Sequence, residues 1–236
     1  MADDQLTLDI PWPPENPRVL LATCMKDEGP FILEWLAWHK AIGITDFVVF
    51  SNDCTDGTDA LLDHLNARGD LTHLPNPASH FGNNYYQPAA LNYVQDMPIF
   101  RAADFMLSSD VDEFVNIRCG DGTLQSLFAS VPAFDVLSIS ELNHGINDHD
   151  HFKPGWVTEL FPRHETPRPG RWRAKTGVKS LTRLSSRIEK VRNHRPDLSV
   201  QSEQSIWLNG SGNRIHELAN DPKENGIDSR RARDLV

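Results

Sequence analysis

The feature that most constrains this chain is the order of its elements. Short apolar runs alternate with amphipathic stretches, and each apolar run opens into a polar loop. Arg18–Met25 is apolar without a period-two alternation, which is how a strand buried on both faces reads. Lys26-Asp27-Glu28-Gly29 follows as a loop, and Pro30 stands where a first helical position tolerates it. Phe31, Leu33, Trp35, Trp38 and Ile42 give a helix with a broad apolar face, ended by Gly43. Asp46–Ser51 is a second strand, Asn52–Thr58 a polar turn, and a second helix starts near Ala60 and stops near Gly69. A third strand is predicted around Leu71–Leu74, another helix within Tyr85–Arg101, and strands at Phe105–Ser109, Asp135–Ile139 and Gly177–Leu184. Strand, helix, strand, helix, strand predicts an α/β fold with a mostly parallel central sheet flanked by helices.

In such a sheet ligands bind beyond the carboxyl ends of the strands. Three polar loops are predicted there: Lys26–Glu28, Asn52–Asp56 and Asp110–Glu113. The last follows the apolar run Phe105-Met106-Leu107 and reads Asp110-Val111-Asp112-Glu113-Phe114. Carboxylates this close repel one another unless a cation lies between them. Hard oxygen ligands suit Mg²⁺ or Mn²⁺, with substrate phosphates completing the shell. The other reading of a bare D-x-D is a solvated acidic turn.

Charge is divided along the chain. Residues 1–150 carry 23 Asp and Glu against 6 Lys and Arg, whereas residues 153–195 carry 12 Lys and Arg against 3 Glu. With a net charge of −10, a nucleic-acid binder is not indicated. The basic segment suits an anionic ligand or the acidic half of the same chain. Cys24, Cys54 and Cys119 are far apart and form no C-x-x-C pair, so neither zinc nor a disulfide framework is predicted. Rare cysteine and an acidic N-terminus unlike a signal peptide lead to the expectation of a cytoplasmic protein. No run is long enough to span a bilayer, and peripheral membrane contact stays open.

Residues 1–17, rich in proline from Pro11 to Pro17, read as an extended lead-in. Beyond residue 140 the pattern becomes loop-rich. Glu141–His151 is polar and holds His144, His149 and His151, either a second metal site or ordinary loop histidines. Pro and Arg recur from Lys153 to Arg173, as in a lid or binding surface. Val191-Arg192-Asn193-His194-Arg195-Pro196 sets an imidazole between basic residues.

Three motifs appear in order. Met25-Lys26-Asp27-Glu28 continues to Glu34-Trp35-Leu36-Ala37-Trp38-His39. Ser51-Asn52-Asp53-Cys54-Thr55-Asp56-Gly57-Thr58 is the second, and Asp110-Val111-Asp112-Glu113-Phe114 the third. Together they resemble the nucleotide-sugar glycosyltransferases of the GT-A (Rossmann-like) type, in particular the family-2-like group. The resemblance implies a metal-dependent transferase that moves a sugar from a nucleotide-sugar donor, a UDP-sugar favoured, to a hydroxyl of a glycan or other acceptor, with inversion. It implies Asp110, Asp112 and His194 at Mn²⁺ or Mg²⁺, and Thr23, Glu28, Asn52, Asp56 and Lys179 at the nucleotide and its phosphates. His194 either ligates the metal or, protonated, pairs with phosphate. Glu141 and Asp148, after the last predicted sheet strand, are the candidates for the catalytic base. Residues 18–140 form the donor half and 141–236 the acceptor or lid half of one domain. Ser51 and Lys26 depart from the group's usual residues, which loosens the assignment of the base. The ending Arg230–Val236 reads like the middle of an element, so truncation is expected.

Two other readings are set beside this one. A haloacid-dehalogenase-like phosphohydrolase also places D-x-D after an apolar strand, but normally after the first. A nucleotide-sugar or glycan-binding module would keep the loops without turnover.

Overall fold

The computed structural model describes residues 11–82, 84–164, 178–199 and 205–214. The expected C-terminal element at Arg230–Val236, Lys175, and much of the Pro- and Arg-rich stretch lie outside the described residues.

The first half follows the expected alternation: β1 (Val19–Met25), α1 (Ile32–Ile42), β2 (Asp46–Ser51), α2 (Thr58–Ala67) and β3 (Thr72–Pro75). A short 3-10 turn, Gly29–Phe31, leads into α1 with Pro30 at its start. Gly43 closes α1 at φ 107°, where its N–H caps the carbonyls of His39 and Lys40. Then come α3 (Ala78–Phe81), α4 (Tyr86–Val94) and α5 (Pro98–Arg101). The single helix expected within Tyr85–Arg101 is broken because Pro98 forces Met97 into an extended conformation, φ −78° and ψ 147°. After β4 (Phe105–Ser108) follow α6 (Leu124–Ser130), β5 (Val136–Ser140), α7 (Val157–Leu160), β6 (Val178–Arg183), β7 (Ile188–Lys190), β8 (Asp197–Leu198) and β9 (Trp207–Leu208).

Among the described residues, seven strands form one sheet in the order β3-β2-β1-β4-β6-β5-β9. β3, β2, β1 and β4 pair in parallel, as do β5 and β9. β6 is inserted antiparallel between β4 and β5. The sheet is thus mostly parallel, as expected, with one reversed strand. That reversal has a consequence for the site. The start of β6 lies at the same edge as the ends of β1, β2, β4 and β5. β7 and β8 make a separate antiparallel ribbon.

Both faces of the sheet are covered. Leu21 and Met25 of β1, Val49 of β2 and Leu107 of β4 pack with Trp35 of α1, Leu62 of α2 and Phe128 of α6. Leu20 and Ala22, Val48 and Phe50, and Met106 face the other way, onto Ala90, Leu91 and Val94 of α4. The lead-in is more than a spacer: Trp12 meets Phe105, Phe128 and Phe134 edge-on, and its Nε1 donates to the Val131 carbonyl at 2.9 Å.

The loop segment after β5 is tied to the core through α1. Glu34 accepts from the Val157 N–H at 2.6 Å, the Thr158 N–H at 3.1 Å and the Thr158 hydroxyl at 2.6 Å. A carboxylate on exposed N–H groups at the start of a helical turn is worth about 1–2 kcal/mol. Glu34→Ala is therefore expected to make the 150–164 segment the first site of cleavage in limited proteolysis, with global stability lowered by no more than that amount. Cleavage unchanged from wild type would show that the clasp does not hold this segment.

Candidate functional site

The three predicted loops meet at one edge. β4 pairs with β1 on the side away from β2, so the chain runs outward in both directions from β1. This is a topological switch point, where open α/β sheets leave a crevice.

The first two loops are laced together. Asp27 accepts from the Thr55 N–H at 2.6 Å, and the Glu28 N–H donates to the Thr58 hydroxyl at 2.8 Å. Asp56 accepts from the Gly29 N–H at 3.2 Å and the Thr58 N–H at 2.9 Å. The Thr58 hydroxyl first, then the Thr58 N–H and the Gly29 N–H, hold the Asp56 carboxyl below the ordinary carboxylate range. A Cβ on Gly29 would come within 3.3 Å of Asp56 Oδ2, so glycine permits this close approach. Asn52 is buried at the end of β2, its N–H donating to the Met25 carbonyl at 3.3 Å. Thr23 is buried within β1, its hydroxyl directed at the Cys24 carbonyl.

The third loop is anchored from α1. Phe114 is met edge-on by Trp38 and stacked by His39, and Trp38 Nε1 donates to the Val115 carbonyl at 2.8 Å. His39 is itself buried, which depresses its pKa to about 4, so it is a neutral packing group. The Trp-His end of the first motif and the Phe of the third therefore belong to one packing unit. Glu113 closes the turn, accepting from the Asp110 N–H at 2.8 Å.

Asp110 stands in a closed ring of polar side chains. Its Oδ1 accepts from Gln87 Nε2 at 3.0 Å and its Oδ2 from Lys179 Nζ at 3.1 Å. Lys179 also reaches Glu113 Oε2 at 3.1 Å and Asn193 Oδ1 at 2.9 Å. Asn193 Nδ2 donates to Gln87 Oε1 at 2.8 Å and so closes the ring. His194 joins it at one side: its Nε2 lies 3.2 Å from Asn193 Nδ2, and its Nδ1 lies 3.0 Å from the Val178 carbonyl. With Nδ1–H donating to a carbonyl, Nε2 is left as the acceptor, which is the tautomer a metal ligand requires.

Glu28 and Asp112 complete the cluster. Asp112 is exposed. Glu28 Oε2 is buried without a hydrogen-bond partner. Its carboxyl is pushed up to about 7, first by burial, then by the charge of Asp112, with Asp110 and Asp56 adding to it. The Cys24 thiol beneath is raised to about 11, by burial first and then by Asp110 and Glu28. The edge is thus a region of net negative charge, which Lys179 offsets only in part.

That shift carries a sign. Folding favours protonated Glu28, so its stabilising contribution is full below about 4.5 and is lost as the pH rises through about 7. Glu28→Gln is expected to match wild type at the acid end and to exceed it above pH 7. The gain is about 1 kcal/mol once the group's partial exposure is discounted, or roughly 2–4 °C in melting temperature. Identical melting curves at both ends of that range would place the charge elsewhere.

The base candidates lie apart. Glu141 directly follows β5, at the same edge of the sheet as Asp110. Asp148 is exposed on the loop and paired with Arg163 at 3.1 Å. No hydrogen bond or ion pair among the described residues joins either to the ring. The loop histidines do not gather: His144 bonds the Phe161 carbonyl and its ring neighbours that of His164, while His149 packs on Phe161. Among the described residues no three His, Cys, Asp or Glu side chains form a metal-holding group. Gln87, Asn193 and the pairing role of Lys179 were not read from the sequence. Asn193 had a signal, its place beside His194; Gln87, in Tyr85-Tyr86-Gln87-Pro88, had none.

Fold and edge define an α/β domain with a cluster of charged side chains at the ends of its parallel strands. The family model of glycosyltransferase family 92 matches residues 21–227, and the chain belongs to that family. The motif-based expectation of a glycosyltransferase is thereby supported, while the family matched is 92, not a family-2-like group. A comparison with curated proteins gives no match. Among solved structures, the apo structure of the bifunctional glycosyltransferase WbbM is similar at 17% identity, with a TM-score of 0.32. The alignment covers 56% of this chain and 24% of that one, and at such a score it carries no argument. Among the described residues no helix is long and apolar enough to cross a membrane.

Proposed function

We propose that this chain transfers a glycosyl group from a nucleotide sugar, a UDP-sugar favoured, to a hydroxyl of a glycan or other acceptor, on a GT-A type domain and with inversion. The observation that carries this reading is the convergence of Asp110, Asp112 and Glu28 at the switch point, with one buried lysine among them. Residues 18–140 serve as the donor half and residues from 141 onward as the acceptor half. The compartment is proposed to be the cytoplasm, consistent with cysteines that are free in the structure.

The residues fit a divalent cation. Glu28 Oε2 is an orphaned buried oxygen, and the charges around it raise its pKa, as a site short of positive charge would. Mg²⁺ and Mn²⁺ bound with phosphates take only one or two protein carboxylates. Asp110 and Asp112 would hold such an ion, with His194 Nε2 as the nitrogen candidate. When bound, it neutralises charge growing on the departing diphosphate. Gln87, Asn193 and Lys179 fix the orientation of Asp110. The laced loops of Asn52 and Asp56 shape the nucleotide side. The acceptor oxygen attacks the anomeric carbon, the bond to the diphosphate breaks on the opposite face, and the acceptor proton passes to a carboxylate. Glu141 is the better-placed candidate for that role, and Asp148 the second.

A panel of nucleotide sugars, screened by thermal shift with and without Mn²⁺, tests the reading. One donor is expected to raise the melting temperature only with the metal, by mass action on the folded state, and to be slowly hydrolysed. Stabilisation without hydrolysis would make the chain a binding module, and preference for phosphate monoesters would make it a phosphohydrolase.

A further inference from the structure

We propose that the outer face of α4 is a saccharide-binding platform that holds the acceptor glycan outside the reaction centre. The proposal rests on the glycosyl-transfer reading for the class of its ligand.

The cavity is a shallow groove of about 500 Å³ between the segment after β3 and α4. Pro77, Tyr85, Pro88, Asn92, Tyr93 and Asp96 line it. From Tyr85 to Asp96 these residues recur at three- and four-residue intervals, so they form one stripe along α4 and its flanks. The opposite face of the same helix is in the core through Ala90, Leu91 and Val94. A helix that points apolar residues inward normally turns charged residues outward. This one turns out two tyrosines, 73% and 50% exposed, with an amide and a single carboxylate. Tyr93 is held in place edge-on by Phe50.

The lining selects a ligand chemistry. A pyranose has a face of C–H bonds and a rim of hydroxyls. Aromatic faces carry partial negative charge and attract that C–H face. Asn92 and Asp96 supply the donors and acceptors that a rim of hydroxyls needs. The groove's one ionised side chain is negative, so a phosphate or other anion is disfavoured. Its volume falls within the range of small-ligand sites.

Position links the groove to the reaction centre. Pro77 follows β3 at the edge where the loops converge, and Asn76 beside it donates to the Tyr86 carbonyl at 3.1 Å. Tyr86, next to the lining Tyr85, donates its hydroxyl to Asp53 at 3.0 Å. Gln87, the following residue, holds Asp110. A glycan on the outer face therefore lies one helix thickness, about 10 Å, from the ring around Asp110.

Affinity electrophoresis in native gels cast with soluble starch, galactan, xyloglucan or hydroxyethylcellulose tests this. The wild type is expected to be retarded in at least one gel. Tyr85→Ala and Asn92→Ala should weaken retardation roughly tenfold, as loss of a contact at the centre of a binding patch does. Tyr93→Phe keeps the ring and should behave as wild type. Tyr85→Ala should hydrolyse donor at the wild-type rate, since that residue lies outside the donor site. Wild type running as in blank gels, or Tyr85→Ala retarded equally, overturns the proposal. So does a wild type that sediments as a dimer while Tyr85→Ala is monomeric, which would make the face a contact between copies. Failed donor hydrolysis by wild type with retardation intact would overturn the transfer reading and leave the platform standing.

Discussion

Asp112→Asn is expected to remove divalent-cation-dependent donor turnover, by about 100-fold or more, while the melting temperature stays at or slightly above that of wild type. The first half follows from the chemistry proposed at the site, where losing one electrostatic stabiliser of the developing charge costs two to three orders of magnitude. The second half follows from the structure. Asp112 is exposed, and its charge is the second cause, after burial, of the raised Glu28 carboxyl. Removing it relieves repulsion, so the Glu28 pKa should fall back toward the ordinary range. That shift gives a readout independent of turnover, observable by following the Glu28 carboxyl in an NMR titration. A variant that keeps Mn²⁺-dependent turnover would remove Asp112 from the site. An unmoved Glu28 titration would show that burial and the other carboxylates, not Asp112, set it.

Much of the first half of the fold is legible in the sequence because its signals are local. β2 spans the residues predicted for it, and α1 ends at the predicted glycine, since apolar runs and a left-handed cap act within a few residues. Parallel order then implies which loops meet. The motifs gave the chemistry of a glycosyltransferase, yet short motifs are shared too widely to give the finer family, and the match is to family 92.

What was illegible depends on contacts far apart in the chain. Nothing in Val178–Arg183 says that it pairs antiparallel with both neighbours, because a strand buried on both faces reads alike in either direction. Without that orientation Lys179 has no reason to meet Asp110, 69 residues earlier. Gln87 and Asn193 are 106 residues apart and carry no motif of their own. The break before Pro98, by contrast, was readable: a proline inside an otherwise helical pattern ends the helix ahead of it.

Lys179→Met should destabilise the fold by about 2–3 kcal/mol, the largest stability effect expected from any single residue of the ring. The side chain is 6% exposed and sits between Asp110 and Glu113, whose side chains are 43% and 25% exposed. Removing one partner of a buried ion pair leaves the other charge uncompensated and costs about 3–5 kcal/mol, and the figure is lowered here because Asp110 reaches solvent. Methionine keeps the length of the stem, so a cavity is not the cause. Burial already raises the Glu113 carboxyl, against the pull of Lys179. Without the lysine that carboxyl should rise further, so the deficit should shrink as the pH falls and Glu113 protonates. The double variant Lys179→Met/Glu113→Gln should recover about 1–2 kcal/mol in denaturant unfolding, the coupling expected of residues in direct contact. If Lys179→Met unfolds like wild type, or if the second substitution recovers nothing, then the lysine does not compensate this cluster. The balance of charge around Asp110 would then have to come from groups outside the ring.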